Sequence, residues 1–187
     1  TKYELSPEMQ LRHMDLNFGN TCNLKCRMCG SWGSTSWFKE ELALHNINPD
    51  FRRNPNKPKP TIIPAEYWAD KRDMFQYLER IDFKGGEPMM QDGMYDFLEY
   101  LIEWGLAKNI TIAYTTNGTK TPERLHELWP KFKKIKLVIS IEGIGMLYQY
   151  IRGGKTQTEE QLVKNIHWFD QFDNLYGSFN TAIQIYN

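Results

Sequence analysis

The sequence predicts an α/β fold built around a parallel β-sheet. Five short stretches typical of strands alternate with stretches typical of helices, and chemically distinctive residues follow the predicted strands. Strands that alternate with helices are joined by right-handed crossovers, which make the sheet parallel. In such a sheet, open or closed as a barrel, binding residues collect at the carboxyl ends of the strands. The length of 187 residues allows one domain of this kind and nearly excludes two.

Composition and charge exclude several classes of function. Hydrophobic residues make up 41% and aromatic residues 14%, which is enough for a core. Lys plus Arg and Asp plus Glu both count 23, so no global field attracts nucleic acid. No apolar run approaches the roughly 18 residues that span a bilayer, and no signal peptide is apparent. We therefore predict a cytoplasmic protein without nucleic-acid or membrane partners.

The first third of the chain contains one strand, one loop and one helix. Alternation over residues 12–18 predicts the first strand, which enters a cysteine-containing loop at residues 20–33. Ser34 or Ser36 can cap a helix that ends near residue 45. The stretch at about 46–64 is rich in proline and predicts an insertion within a single domain spanning residues 1–187.

The middle of the chain repeats the strand and helix pattern. Pro64 suits the first turn of a helix that ends near Leu78. The other elements are then predicted from periodicity and from cap and proline signals: strands at 80–83 and 109–115, an amphipathic helix at 90–104 and a helix at 121–129.

The last third continues the same alternation. Residues 134–141 form an apolar run typical of a buried strand. Helices are predicted around residues 145–150 and over 158–172. Alternation over residues 179–186 predicts a fifth strand, after which the chain stops.

The cysteines are the most specific signal in the sequence. The chain has three, Cys22, Cys26 and Cys29, and an odd number at such short spacings excludes a disulfide framework. The spacing C-x3-C-x2-C on one loop can bring three thiolates to three corners of a [4Fe–4S] cluster and leave one iron open. The alternatives are a zinc site with an external fourth ligand, or cysteines buried as small apolar side chains.

With this spacing after its first strand, the chain resembles the radical S-adenosylmethionine (SAM) enzymes over residues 14–187. The resemblance implies a partial (β/α)6 TIM-like barrel, here expected to be truncated after the fifth strand. It also implies that SAM binds the open iron through its amino and carboxylate groups. An electron from a donor such as flavodoxin or ferredoxin then cleaves SAM to a 5′-deoxyadenosyl radical, which abstracts hydrogen from a peptide, protein or small-molecule substrate.

The resemblance assigns a role to the turn that contains Gly85, Gly86 and Glu87, followed by Pro88. In the family, glycine carbonyls and the glutamate carboxylate of this turn accept hydrogen bonds from the SAM amino group. Residues without Cβ allow close backbone approach. The alternative is a simple turn between a strand and a helix, because Gly-Gly and Glu-Pro are common turn dipeptides.

Two further residues match the family's contacts to the SAM carboxylate. Ser140 ends the fourth predicted strand, and Arg152 follows one helix later, where an arginine can bind a carboxylate through two nitrogens. Glu142 stands where the family usually has aspartate, and it is expected to contact ribose hydroxyls or a polar neighbour. A surface arginine and a solvated glutamate are the alternatives.

Three more residues match positions near the cofactor. Met28 precedes the third cysteine, where the family often has an aromatic residue near adenine, and a thioether can also cover a flat ring. Asn117 follows the third strand and Asn187 ends the predicted fifth strand, as asparagines do in many relatives. For Asn117, beside Gly118, a plain turn asparagine is the alternative.

The motifs are most similar to those of the SPASM/twitch-type members, which modify peptides. The second hypothesis from the same residues is a degenerate or fragmentary iron–sulfur or SAM-binding module without turnover. The cysteines, the Gly-Gly-Glu-Pro turn, Ser140 and Arg152 all favour the enzyme.

Overall fold

The computed structural model describes residues 10–48, 64–153 and 158–185. Five strands form a single parallel sheet in the order β1-β2-β3-β4-β5. The strands are β1 His13–Asn17, β2 Arg80–Lys84, β3 Thr111–Thr116, β4 Lys134–Ser140 and β5 Leu175–Asn180. The predicted α/β class and parallel sheet are confirmed. The predicted insertion at about 46–64 lies almost entirely outside the described residues, as does Asn187.

Helices connect successive strands, and all but the first contribute buried apolar side chains to the core. They are α1 Phe38–Ile47, α2 Asp92–Glu103, α3 Leu125–Leu128, α4 Gly145–Arg152 and α5 Glu159–Phe169. Thr158 caps α5 by accepting a hydrogen bond from the Gln161 N–H, and two glutamates occupy the first turn of that helix. Among the described residues, no helix is long and apolar enough to cross a membrane.

The two faces of the sheet differ because side chains alternate along each strand. The face toward the helices is apolar, and its side chains are buried with those of α2: Leu16, Ile81, Phe83, Tyr114 and Leu137 from the strands, and Phe97, Leu98 and Leu101 from α2. This layer forms the core.

The opposite face of the sheet is polar. Arg80 donates two hydrogen bonds to the Asp82 carboxylate, at 2.6 and 2.7 Å, and lowers the pKa of that carboxyl. On the same face, Lys84 of β2 donates to Asp15 of β1 at 2.6 Å. Lys136 of β4 lies on the same face and is half-buried. The sheet therefore has an apolar side toward the helices and a charged side away from them.

One predicted helix and one predicted strand are wrong. In place of a helix from Pro64 to Leu78 the chain forms two short 3-10 segments, Ala65–Trp68 and Arg72–Phe75. In an α-helix the Lys71 N–H would bond to the Tyr67 carbonyl. Here that carbonyl accepts from the Lys71 ammonium at 2.5 Å, and the Lys71 N–H bonds to the Trp68 carbonyl instead.

The fifth strand lies earlier than the alternation at 179–186 predicts. Its register is set by β4, which pairs with Leu175–Asn180 and ends at Ser140. Residues 181–185 have no strand neighbour, so Ile183 and Ile185 are almost fully exposed in spite of their high strand propensity. Gly177 and Ser178 weaken the local signal for the true strand.

Candidate active site

A cavity of about 420 Å³ opens at the carboxyl ends of the strands. All of the predicted site residues that the structure describes line it: Cys22, Cys26, Met28, Cys29, Gly85, Gly86, Glu87, Asn117, Ser140, Glu142 and Arg152. A larger depression of about 540 Å³, between α2 and α3, contains none of them. The parallel topology thus brings residues from five separate segments to one place.

The cysteine loop is anchored by the residues around the start of α1. The Ser34 hydroxyl donates to the Leu24 carbonyl at 2.6 Å, and the Ser36 hydroxyl donates to the Cys22 carbonyl at 2.7 Å. The Glu41 carboxylate accepts from the Ser31 N–H at 2.6 Å. These bonds satisfy loop backbone groups that regular secondary structure would otherwise pair.

The end of α4 contacts the same loop from the opposite side. The Arg27 N–H donates to the Ile151 carbonyl at 2.8 Å, and the Arg27 side chain donates to the Tyr150 carbonyl at 2.9 Å. Gly153 ends the helix in a left-handed conformation, with φ of 92°. A Cβ at Gly153 would come within 2.7 Å of the Lys25 carbonyl oxygen, so glycine is required there by conformation and by space.

The Gly85-Gly86 turn is bonded to the cysteine loop. The Gly86 N–H donates to the Gly19 carbonyl at 2.9 Å and the Glu87 N–H donates to the Thr21 carbonyl at 2.8 Å. A Cβ at Gly86 would lie 2.3 Å from the Thr21 oxygen, and one at Gly85 would meet Asn17. Glycine is therefore required at both positions because the end of β1 and the cysteine loop pack against them. The sequence pattern did not reveal this reason.

Glu87 is a buried carboxylate at the centre of the cavity wall, and it is 1% exposed. It accepts hydrogen bonds from the Thr116 hydroxyl at 2.6 Å, the Asn117 N–H at 2.8 Å and the Met89 N–H at 3.3 Å. Burial raises the pKa of this carboxyl, and the three donors only partly offset that effect. A cation bound against Glu87 would favour its ionised form.

Arg152 and Glu142 form a buried bidentate ion pair. Arg152 Nε lies 2.5 Å from one Glu142 oxygen and Nη2 lies 2.6 Å from the other. The third nitrogen, Nη1, lies 3.6 Å from the Cys26 sulfur. The polar neighbour expected for Glu142 is therefore Arg152, and Ser140 lies on the same cavity wall, 8% exposed.

Asn117 connects the end of β3 to the cysteine loop. Its side-chain nitrogen lies 3.7 Å from the Cys22 sulfur and 3.1 Å from Asn23 Oδ1. Its side-chain oxygen accepts from the Thr119 N–H at 2.9 Å and from the Thr119 hydroxyl at 2.6 Å. A turn asparagine would make the last two bonds alone, so the contact with Cys22 is an additional feature.

Comparison with known proteins identifies the family. The model of the radical SAM superfamily matches residues 16–174. The chain belongs to the radical SAM superfamily. No curated protein sequence matches it significantly.

Solved structures of other proteins share this fold. Streptococcus suis SuiB bound to the precursor peptide SuiA superposes with a TM-score of 0.57 and 18% identity, over 92% of this chain and 33% of SuiB. The protein anSMEcpe with bound AdoMet (SAM) superposes with a TM-score of 0.58 and 18% identity, over 90% of this chain and 43% of that protein. The chain thus spans less than half the length of either structure, and its sheet corresponds to a partial radical SAM barrel.

The cysteines fit the cluster that the radical SAM family implies better than they fit one zinc ion. Sulfur atoms around a single tetrahedral zinc lie about 3.8 Å apart, given Zn–S bonds of about 2.3 Å. In the described part of the chain, the trio of possible ligands found within 4.8 Å of one another is His13, Asp15 and Asp82, and the three sulfurs do not form such a close trio. That trio is already engaged by Arg80 and Lys84.

The three thiols are free and face one cavity, which suits binding to a multi-iron group. Burial raises the pKa of each thiol. Cysteine binds metal as the thiolate, so binding releases the thiol protons. The iron of a bound cluster would then stabilise the negative charge on the buried sulfurs. N–H donors at Cys22 and Cys26 favour the thiolate form further.

Several residues that line the cavity were not assigned from the sequence, and three of them bear on its chemistry. Asn180 ends β5 and lines the cavity, the position that the displaced fifth strand had assigned to Asn187. The correct register of β5 would have identified it. Lys84 ends β2, and Trp32, three residues after Cys29, lines the cavity while 78% exposed. The available signals were the positive charge of Lys84 directly before the Gly-Gly turn and the aromatic ring of Trp32 in the cysteine loop.

Proposed function

We propose that this chain is the core of a radical SAM enzyme, in which Cys22, Cys26 and Cys29 hold a [4Fe–4S] cluster. When bound, the cluster and SAM supply a 5′-deoxyadenosyl radical that abstracts hydrogen from a substrate. The observation that carries the proposal is one cavity that joins three free thiols, a buried carboxylate and a guanidinium whose side chain is 11% exposed. The protein's own contribution is to place these groups and to exclude water.

Glu87 is proposed to bind the SAM ammonium. A buried carboxylate whose burial disfavours charge gains most from a cation at hydrogen-bond distance. Its two oxygens are already oriented by Thr116, Asn117 and Met89, so little conformational entropy is lost on binding. The Gly85 and Gly86 carbonyls are candidates for the remaining ammonium hydrogens.

Ser140 and Arg152 are proposed to bind the SAM carboxylate. Glu142 holds two of the Arg152 nitrogens, which leaves Nη1 on the cysteine side. Glu142 is thus a positioning residue in addition to any contact with ribose, and Met28 remains the proposed neighbour of adenine. Asn180 takes the role that the sequence gave to Asn187.

The partners are proposed from the family and from chemistry. A flavodoxin or ferredoxin is the expected electron donor. A peptide or protein substrate is favoured over a small molecule because the SuiB structure holds a precursor peptide, in line with the SPASM/twitch-type motifs noted above. Three unpaired thiols suit a reducing compartment, which supports the cytoplasm.

Electron paramagnetic resonance (EPR) tests the proposal. Anaerobically reconstituted and dithionite-reduced protein should give a four-iron signal that changes when SAM is added. Glu87→Gln should keep the cluster signal and lose the response to SAM. If SAM leaves the cluster signal of the unmodified protein unchanged, the chain is a binding module without turnover. Bound zinc without iron would refute the assignment of the cysteines to an iron–sulfur cluster.

A further inference from the structure

The amide of Asn117 is held in one orientation. Its oxygen faces the Thr119 backbone N–H, which can only donate, so the NH2 group must face Cys22 and Asn23. The Asn117 backbone is fixed as well, because its N–H donates to Glu87 at 2.8 Å.

The hydrogen bonds around Asn117 form a closed ring. Asn23 Nδ2 donates to the Thr119 hydroxyl at 2.9 Å, that hydroxyl donates to Asn117 Oδ1 at 2.6 Å, and Asn117 Nδ2 donates to Asn23 Oδ1 at 3.1 Å. Asn117 is 6% exposed, so water does not compete strongly for its amide. The ring prevents the amide from turning away from the Cys22 sulfur, and it links β3 to the cysteine loop.

We propose that Asn117 is a positioning residue that donates a hydrogen bond to the Cys22 sulfur and raises the reduction potential of the cluster held there. The inference rests on the proposed function. Reduction adds negative charge that is shared by the ligating sulfurs, so an N–H donor stabilises the reduced form more than the oxidised form. Arg152 Nη1 makes a similar approach to Cys26, but it is also proposed to contact SAM, whereas Asn117 has its bonds within the protein.

Two substitutions separate the hydrogen bond from charge. Asn117→Asp keeps an oxygen for the Thr119 donors, loses the NH2 group and adds a negative charge. Asn117→Leu keeps a side chain branched at Cγ and loses the donor without adding charge. Asn109→Asp is the matched control, because it makes the same change at an exposed site before the opposite end of β3.

The measurement is an EPR-monitored redox titration of reconstituted protein without SAM. At a fixed potential near the midpoint, Asn117→Leu should lower the ratio of reduced to oxidised cluster about tenfold, a shift of about 59 mV to more negative potential for one electron. Asn117→Asp should shift further in the same direction, and Asn109→Asp should not shift.

An unchanged potential in Asn117→Leu, with full iron content, would overturn the inference, and so would a shift confined to Asn117→Asp. Should neither variant assemble a cluster, Thr119→Val decides. It keeps Asn117 and the Thr119 N–H but removes the hydroxyl that closes the ring, so the amide is held less firmly against Cys22. It should give a smaller negative shift, and no shift would reject the inference. Failure of the unmodified protein to bind iron would instead refute the proposed function.

Discussion

Substitution of Gly86 by alanine tests whether the Gly-Gly turn is a packing requirement. The new Cβ would lie 2.3 Å from the Thr21 oxygen and 2.7 Å from the Asn20 carbonyl carbon, and both are backbone atoms that no rotamer can move. The loop would have to retreat by about 0.7 Å even to reach 3.0 Å, below which real Cβ contacts essentially never fall.

The energetic cost of this substitution can be estimated from two contributions. Overpacking a tight site costs about 1–3 kcal/mol. The retreat also lengthens the bonds from the Gly86 and Glu87 N–H groups to the loop, each worth about 1 kcal/mol. Gly86→Ala should therefore lower the free energy of unfolding by about 2–4 kcal/mol, and it should displace the loop that carries Cys22.

Urea denaturation under reducing conditions measures the stability, and iron and sulfide content after anaerobic reconstitution measures the site. Gly177→Ala in β5 is the matched control, since the nearest heavy atom to its new Cβ is 3.9 Å away, and its effect should stay within about 1 kcal/mol. Equal stabilities for the two variants, with full iron in Gly86→Ala, would refute the packing argument.

Three other predictions concern charge and sulfur in the site. Cys26→Ala should bind no cluster and keep its far-UV circular dichroism, because the loop lies at the strand ends and not in the core. Arg152→Met should lower the free energy of unfolding by about 3–5 kcal/mol, because Glu142, with a side chain 2% exposed, is left without its cation; urea denaturation measures this. Burial raises the pKa of Glu87, so SAM affinity measured by calorimetry should fall on acidification at a pH above the carboxyl's ordinary value of 4.5.

Each of these predictions has a contrary outcome. Collapse of the helical signal in Cys26→Ala would place the loop in the folding core. A double variant, Glu142→Leu with Arg152→Met, should recover most of the lost stability, and no recovery would assign the loss to packing. Without SAM, a Glu87 carboxyl with a raised pKa contributes stability below about pH 4.5 that declines as pH rises through the raised value, and Glu87→Gln should remove this dependence.

The order of elements could be predicted because it depends on local signals. Apolar runs and turn residues located β2, β3 and β4, and three cysteines on one loop located the site. Parallel topology then placed the motif residues together without any knowledge of their distances. This part of the prediction needed only the sequence pattern and the rule that the carboxyl ends of parallel strands share an edge.

The features that sequence could not predict depend on contacts between distant segments. The limits of β5 follow from its pairing with β4, and a pattern confined to residues 179–186 cannot report that pairing. The partner of Glu142 is ten residues away and depends on how α4 packs. The crowding at Gly86 arises from a loop more than sixty residues earlier in the chain.

The many attachments of the cysteine loop have a consequence for how the protein opens and closes. Bonds to the loop come from the turn after β2, from the end of β3, from α1 and from the last carbonyls of α4. Local unfolding of a loop that is bonded at so many points costs a free energy close to that of global unfolding. The loop amides should therefore exchange with solvent in the same cooperative step as the amides of the central strands. A ligand that binds the thiols would then stabilise the whole sheet, so the melting temperature of the protein would rise as the site fills.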